Sequence, residues 1–177
     1  MHTLAKTSLI ALFCLLTACG WQLRGTTPIP ESLARLELDA SGVNNRFAEV
    51  LKTNLEAAGV KLSENTPNTL VFENFQRQLR NVSVDRSARS AQRELSLTVA
   101  VRLLSSDGRV LFGPDTISAA RIFRHDPDNV VAKVNEERLI ETELRESLAR
   151  QILSWYRAAG GSLDAAAKVS EDTEDEN

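Results

Sequence analysis

The chain has 177 residues, with 21 Lys and Arg against 24 Asp and Glu and a formal net charge of −3. That length buries one core and calls for no second domain. Once a leader over residues 1–18 is removed, one histidine and no free thiol remain, which leaves no clustered zinc or copper ligand set, so no metal or other cofactor is expected. The acidity is local: from Gly160 onward Asp164, Glu171, Asp172, Glu174, Asp175 and Glu176 face only Lys168, which leaves the preceding part close to neutral.

Residues 1–18 carry Lys6, an unbroken apolar run over residues 9–16, and the small pair Thr17-Ala18, the layout of a secretory signal peptide. The run is too short for a helix that spans a bilayer core, which takes about 20 residues. Leu16-Thr17-Ala18-Cys19 resembles the lipobox of bacterial lipoproteins. The resemblance implies diacylglyceryl attachment to the Cys19 sulfur, cleavage before it, and acylation of the new amino end. Stable anchoring takes more than one acyl chain, each buried methylene adding about 0.8 kcal/mol. Cys14 leaves with the signal peptide, so the mature chain keeps no free thiol, no disulfide and the single imidazole of His125. A Cys/His nucleophile pair is therefore excluded. Gly20 follows the cysteine where lipoproteins retained at the inner membrane typically have Asp, so the outer membrane is the expected destination.

Along the mature chain, Arg35-Leu36-Glu37-Leu38-Asp39 alternates as a strand does. Asn44 or Asn45 can cap a helix with apolar positions Phe47, Val50, Leu51, Leu55 and Ala58, and Gly59 supplies the exit. After a turn at Thr66-Pro67-Asn68, residues 70–84 form a strand whose alternation changes phase between Phe72 and Phe75 and again near Val82, the mark of β-bulges or an irregular edge. Leu95, Leu97, Val99, Val101 and Leu103 define the clearest strand. Asp107-Gly108 then predicts a type I′ hairpin turn. The returning strand breaks at Gly113-Pro114 and runs on through Ile117, Ala119, Arg121 and Phe123. Asp126-Pro127 opens a long helix with an apolar stripe at Ile140, Leu144, Leu148, Ile152 and Trp155/Tyr156. On its wet side Glu141–Arg145 and Glu146–Arg150 are four-apart pairs.

The order β-α-β-β-β-α reads as α+β: two helices on one face of a mixed four-stranded sheet. The first crossover should pair parallel and right-handed. The sheet's other face needs solvent or a partner. Three segments follow: a signal peptide over 1–18, one domain over 19–159, and an acidic tail over 160–177 that opens on Gly160-Gly161 and is expected to be disordered.

Chemistry concentrates in arginine. Arg77, Arg80, Arg86, Arg89 and Arg93 occur in a stretch whose one acid is Asp85, and a guanidinium fork suits phosphate and carboxylate. Beside an outer membrane the abundant phosphorylated ligand is lipopolysaccharide, and no nucleic acid partner is expected. Arg86 and Arg89 lie in a Ser/Ala loop, free to aim at a ligand. A solvated edge whose charges deter aggregation explains the same residues equally simply. Arg121, Arg124 and Lys133 add charge at the end of the last strand and the start of the long helix. They join the loop in one patch if those two ends of the sheet adjoin. His125-Asp126 with Ser118 invites a hydrolase reading, but no GxSxG elbow is present and Asp126 serves as a helix cap. No catalytic residue is assigned.

Cys19-Gly20-Trp21-Gln22-Leu23-Arg24-Gly25, the element order and the Ile122-Phe123-Arg124 strand end before a helix cap together resemble the LptE (RlpB) family of lipopolysaccharide-assembly lipoproteins over residues 19–157. The resemblance implies a non-enzymatic, two-helix, four-stranded domain that sits as a plug in the LptD β-barrel of the outer membrane. It further implies assistance to barrel assembly and delivery of lipopolysaccharide to the outer leaflet, with lipopolysaccharide bound by the chain itself. Basic residues make that contact in the family, and the corresponding positions here are Arg86 and Lys133, with Arg89 and Arg124 beside them. A pilotin-like or transport-auxiliary lipoprotein for another barrel, and a lipid-anchored periplasmic hydrolase using His125, are the alternatives.

Overall fold

The computed structural model describes residues 29–84, 90–124 and 130–174; the signal peptide, Cys19, His125 and the Asp126-Pro127 helix start lie outside them. A 3-10 turn, Glu31–Leu33, leads into β1 (Arg35–Asp39), α1 (Asn45–Ala57), β2 (Lys61–Leu62), β3 (Asn68–Val84), β4 (Ser90–Ser105), β5 (Val110–Arg124) and α2 (Val130–Glu174). The sheet has five strands in the order β2-β1-β3-β4-β5, one more than expected. The extra strand, β2, has two residues paired in parallel with β1. It is held by Lys61 N–H to the Ala34 carbonyl at 2.8 Å and Ser63 N–H to the Leu36 carbonyl at 3.1 Å. Two residues are too few to display alternation, which is why the sequence conceals it.

The α+β class and the mixed sheet hold: β1 pairs parallel with β3, and β3-β4-β5 is an antiparallel meander. Both helices pack on the face formed by Leu36, Leu70, Phe72 and the β4 ladder Leu95, Leu97, Val99, Val101 and Leu103, all but excluded from water. Each such side chain contributes about 1.5–3 kcal/mol of burial. In α1, Asn44 caps by accepting the Phe47 N–H at 2.9 Å. That cap sets the phase that buries Phe47, Leu51 and Leu55 at four-residue steps.

The phase change in β3 is a bulge. Register shifts between Glu73 and Gln76, and Asn74 takes φ 54°. The extra residue turns Phe75 to the helix side, where its ring stacks on Phe47 at 5.1 Å, and carries Arg77 and Leu79 to that side opposite Leu97 and Leu95. The opposite face is polar. Its middle rows are Gln76, Thr98 and Ser118, then Gln78, Ser96 and Ala120.

Two expectations need correction here. The β4-β5 turn is not type I′, because positive φ is found at Gly108 (81°) and not at Asp107. Gly108 N–H bonds to the Ser105 carbonyl and Ser105 N–H to the Arg109 carbonyl, both at 2.9 Å. This is a three-residue loop closed by a left-handed glycine, the next commonest hairpin solution. The break at Gly160 is also absent: α2 continues to Glu174. Gly160 is buried against Pro30 and Leu33, so closely that a Cβ there would lie 2.8 Å from Pro30 Cγ and 2.9 Å from Leu33 Cδ1. The helix carries Leu163 onto the core and Asp164 to the Ser32 hydroxyl, which donates at 3.1 Å. The glycine pair read as a breaker is, at its first residue, a close-packing site.

Candidate functional site

The α2 stripe is placed as its periodicity requires, with Ile140, Leu144, Leu148, Ile152 and Tyr156 each no more than 4% exposed. Tyr156 donates its hydroxyl to the Leu33 carbonyl at 2.8 Å, and burial pushes its phenol above the ordinary tyrosine range. Trp155 packs half-buried against Phe112 and donates its indole N–H to Asp115 at 2.7 Å. Both are packing residues, as their positions in an amphipathic helix imply.

The arginine-rich stretch divides in the folded chain. Arg77 is not a free cation. From the helix side of β3 it binds Glu137 and Glu141 of α2, with Nε to Glu141 at 3.0 Å. Burial alone would lower its pKa, but the hydrogen bonds it donates to Glu141 and Glu137 outweigh that and raise it. Glu141 also binds Arg145. Arg145 is 9% exposed, so this four-apart pair lies against the body of the protein and not on the wet side. Glu146 accepts from Asn54 of α1 at 3.3 Å, a bond between helices in place of the pair expected with Arg150. Arg80 binds Glu94 at 2.8 Å, Arg93 donates to Asn81 at 3.2 Å, and Arg121 binds Glu143. These four arginines of the expected patch are thus committed to partners within the fold, which a linear stretch with one acid could not reveal: the carboxylates come from β4 and α2.

Arg124 is different. It ends β5, is exposed, and forms no ion pair among the described residues. The register places it opposite Gln92, which pairs in turn with Ser83, while Val84 pairs with Ser90. The strand ends that border residues 85–89 and 125–129 are therefore neighbours, and the condition for a single basic end of the sheet is met at the level of the backbone. Arg86 and Arg89 lie outside the described residues, as does the side chain of Lys133, whose backbone is in the first turn of α2. Two exposed apolar side chains, Val82 (38%) and Ile122 (54%), share this end with Arg124. Among the described residues no group of His, Cys, Asp or Glu could hold a metal ion, and no helix is long and apolar enough to cross a membrane.

Two helices on a mixed sheet of this order define the fold of the rare-lipoprotein-B class. The chain superimposes on rare lipoprotein B from Shewanella oneidensis with a TM-score of 0.66 at 20% identity, covering 73% of this chain and 98% of that one. It matches a minor lipoprotein from Acinetobacter baumannii with a TM-score of 0.61 at 26% identity, covering 74% and 94%. The family model LptE, lipopolysaccharide-assembly, matches residues 33–154. An LPS-assembly lipoprotein LptE from Photorhabdus laumondii is 30% identical over 152 residues, 83% of this chain and 82% of that protein. Its namesake from Pectobacterium atrosepticum is 27% identical over 164 residues, 89% and 88%. The chain belongs to the LptE family of non-enzymatic lipopolysaccharide-assembly lipoproteins.

Proposed function

We propose that the mature chain is a lipid-anchored plug for the LptD β-barrel, attached through Cys19 to the periplasmic side of the outer membrane after removal of residues 1–18. There it assists barrel assembly and takes part in delivering lipopolysaccharide to the outer leaflet. The observation that carries this reading is the family match across residues 33–154, nearly the whole α+β unit. A polar outer surface supports it as well. The lumen side of an outer-membrane barrel is polar, and the sheet face turned away from the helices offers hydroxyl and amide side chains at Gln76, Gln78, Ser96, Thr98 and Ser118.

Lipopolysaccharide phosphates are recognised at the basic end of the sheet, by Arg86, Lys133, Arg89 and Arg124. Support comes from the convergence of the flanking strand ends and from Arg124, which forms no ion pair among the described residues, in contrast to the four arginines held in ion pairs or hydrogen bonds. Surface charges of this kind are worth little to stability, so the site can be altered without unfolding the protein. Replacing Arg86 and Lys133 together by Glu should weaken binding of purified lipopolysaccharide at an unchanged melting temperature. Undiminished binding by the folded double variant would refute the assignment. For the wider role, depletion of the chain should lower mature LptD and surface lipopolysaccharide together, and normal levels of both would reject it.

A further inference from the structure

The two edges of the sheet are unequal. One is β2, two residues long; the other is β5, fifteen residues long. An edge strand presents a row of unpaired N–H and C=O groups, which proteins normally blunt with short strands, charge, proline or bulges. β2 is blunted by its length. In β5 glycine and proline sit near the start, at Gly113-Pro114, and charge at Asp115, Arg121 and Arg124, while pairing with β4 runs without a register shift from Asp115 opposite Val101 to Arg124 opposite Gln92. Within that run Thr116-Ile117-Ser118-Ala119-Ala120 has no charge, no proline and no glycine, and Thr116, Ser118 and Ala120 are exposed. Among the described residues nothing pairs with its outer edge.

Beside this edge the seam between β5 and α2 holds two recesses in series. The first, about 460 Å³, lies between Thr116, Ile117 and Ser118 of the strand and Gln151, Ser154 and Trp155 of the helix. The second, about 430 Å³, lies between Ala120 and Arg121 and the helix residues Glu143, Leu144, Ser147 and Arg150. Their centres are three to four residues apart along β5, roughly 12 Å at about 3.3 Å per residue. On an added strand, side chains four positions apart share a face at roughly 13 Å, so one segment can fill both.

We propose that the β5 edge and this seam receive an extended segment of the barrel partner, which adds to the sheet as a further strand. The inference rests on the plug reading above and names the surface through which the plug is held. The lining specifies the segment. The first recess offers hydroxyls, an amide and an indole, and takes an uncharged side chain. In the second, Glu143 is occupied by Arg121, whereas Arg150 is exposed and has no ion pair among the described residues. An aspartate or glutamate four positions along is the complement. The segment is a loop or terminal stretch, because the wall strands of a closed barrel already have both edges paired. A second copy of this chain fits less well. Antiparallel pairing about Ser118 would set Asp115 against Arg121, but Asp115 is bound to Trp155 and Arg121 to Glu143.

Amide hydrogen exchange on the mature chain, alone and in its purified barrel complex, tests this. Alone, alternate amides over residues 115–121 should exchange rapidly while those facing β4 are protected. In the complex the rapid set should slow by about a hundredfold or more, the signature of strand addition. Arg150→Glu should raise the dissociation constant about tenfold at an unchanged melting temperature. A complex that forms while those amides stay rapid overturns the proposal and leaves the plug reading intact. Failure to recover any barrel partner overturns both. Concentration-dependent protection in the chain alone, with a dimeric mass, makes a second copy the occupant and likewise overturns it.

Discussion

Arg77 of β3 and Glu141 of α2 meet at 3.0 Å between Nε and Oε2, and the same carboxylate holds Arg145 four residues on. One acid thus fastens the long helix to the bulged strand while neutralising a guanidinium that is nearly enclosed. The Arg145 side chain is 10% exposed and its Nε has no hydrogen-bond partner among the described residues, so it depends on Glu141. Removing one partner of a buried pair costs more than the pair itself is worth, because it strands the other charge.

Glu141→Ala should therefore destabilise the fold by about 2–3 kcal/mol, whereas Arg80→Ala, which breaks a solvent-exposed pair with Glu94, should leave the denaturation midpoint almost unmoved. Urea unfolding of the two variants side by side checks the contrast. Equal midpoints would mean that the clasp is ordinary surface.

Tyr156 is the chain's one tyrosine, so its phenolate absorbance near 295 nm can be assigned without ambiguity. Its folded pKa is raised by burial. Stability is consequently complete below the unfolded value of about 10 and declines as pH rises beyond it, where the unfolded phenol ionises and the folded one does not. Tyr156→Phe should remove that alkaline decline and cost about 1 kcal/mol at neutral pH through loss of the bond to Leu33. A phenol that titrates near 10 in the folded protein would contradict this.

Gly42 lies in the loop between β1 and α1, and a Cβ built there would fall 2.0 Å from the Phe72 carbonyl oxygen and 2.9 Å from Glu73 Cα. Backbone atoms of a paired strand cannot give way as a side-chain tip can. Gly42→Ala should lower the melting temperature and cost about 2 kcal/mol or more, while Gly161→Ala, with open space around its Cα, should be neutral or slightly stabilising in its helix. Calorimetry of both variants is the check.

The stretch after Tyr156 divides at a definite point. Truncation after Ala159 removes Gly160, Leu163 and Asp164, which touch Pro30 and Leu33, the core, and Ser32 respectively, and it should lower stability measurably. Truncation after Ala166 retains those contacts and should not. Identical melting of the two truncated chains would support a domain boundary at 159.

Wherever local pattern and tertiary packing agree, the elements are legible in the residues. β1, the β4 ladder and the α2 stripe are read at their true positions and the α1 cap to within one residue, Asn44 or Asn45, because alternation, capping chemistry and helical period are short-range signals. β2 is hidden by its two-residue length, and the helix runs past Gly160-Gly161 because a glycine pair signals a break only where nothing packs against it. The partners of Arg77 and Arg121 are illegible for a different reason. Arg77 and Arg121 are neutralised by Glu137, Glu141 and Glu143, acids remote in sequence that face them only once α2 lies across the sheet. Such partners have no local signature. The same holds for the β5-α2 seam, which exists only as a relation between two elements.

On the proposed function, this module works inside a barrel while held by lipid. Affinity purification of the tagged chain from detergent-solubilised outer membranes, followed by intact-mass measurement, addresses both halves at once. The expected result is an equimolar complex with one β-barrel protein, the small subunit beginning at an acylated Cys19. Recovery of the chain without a barrel, or with an unmodified Cys19 thiol, would contradict it.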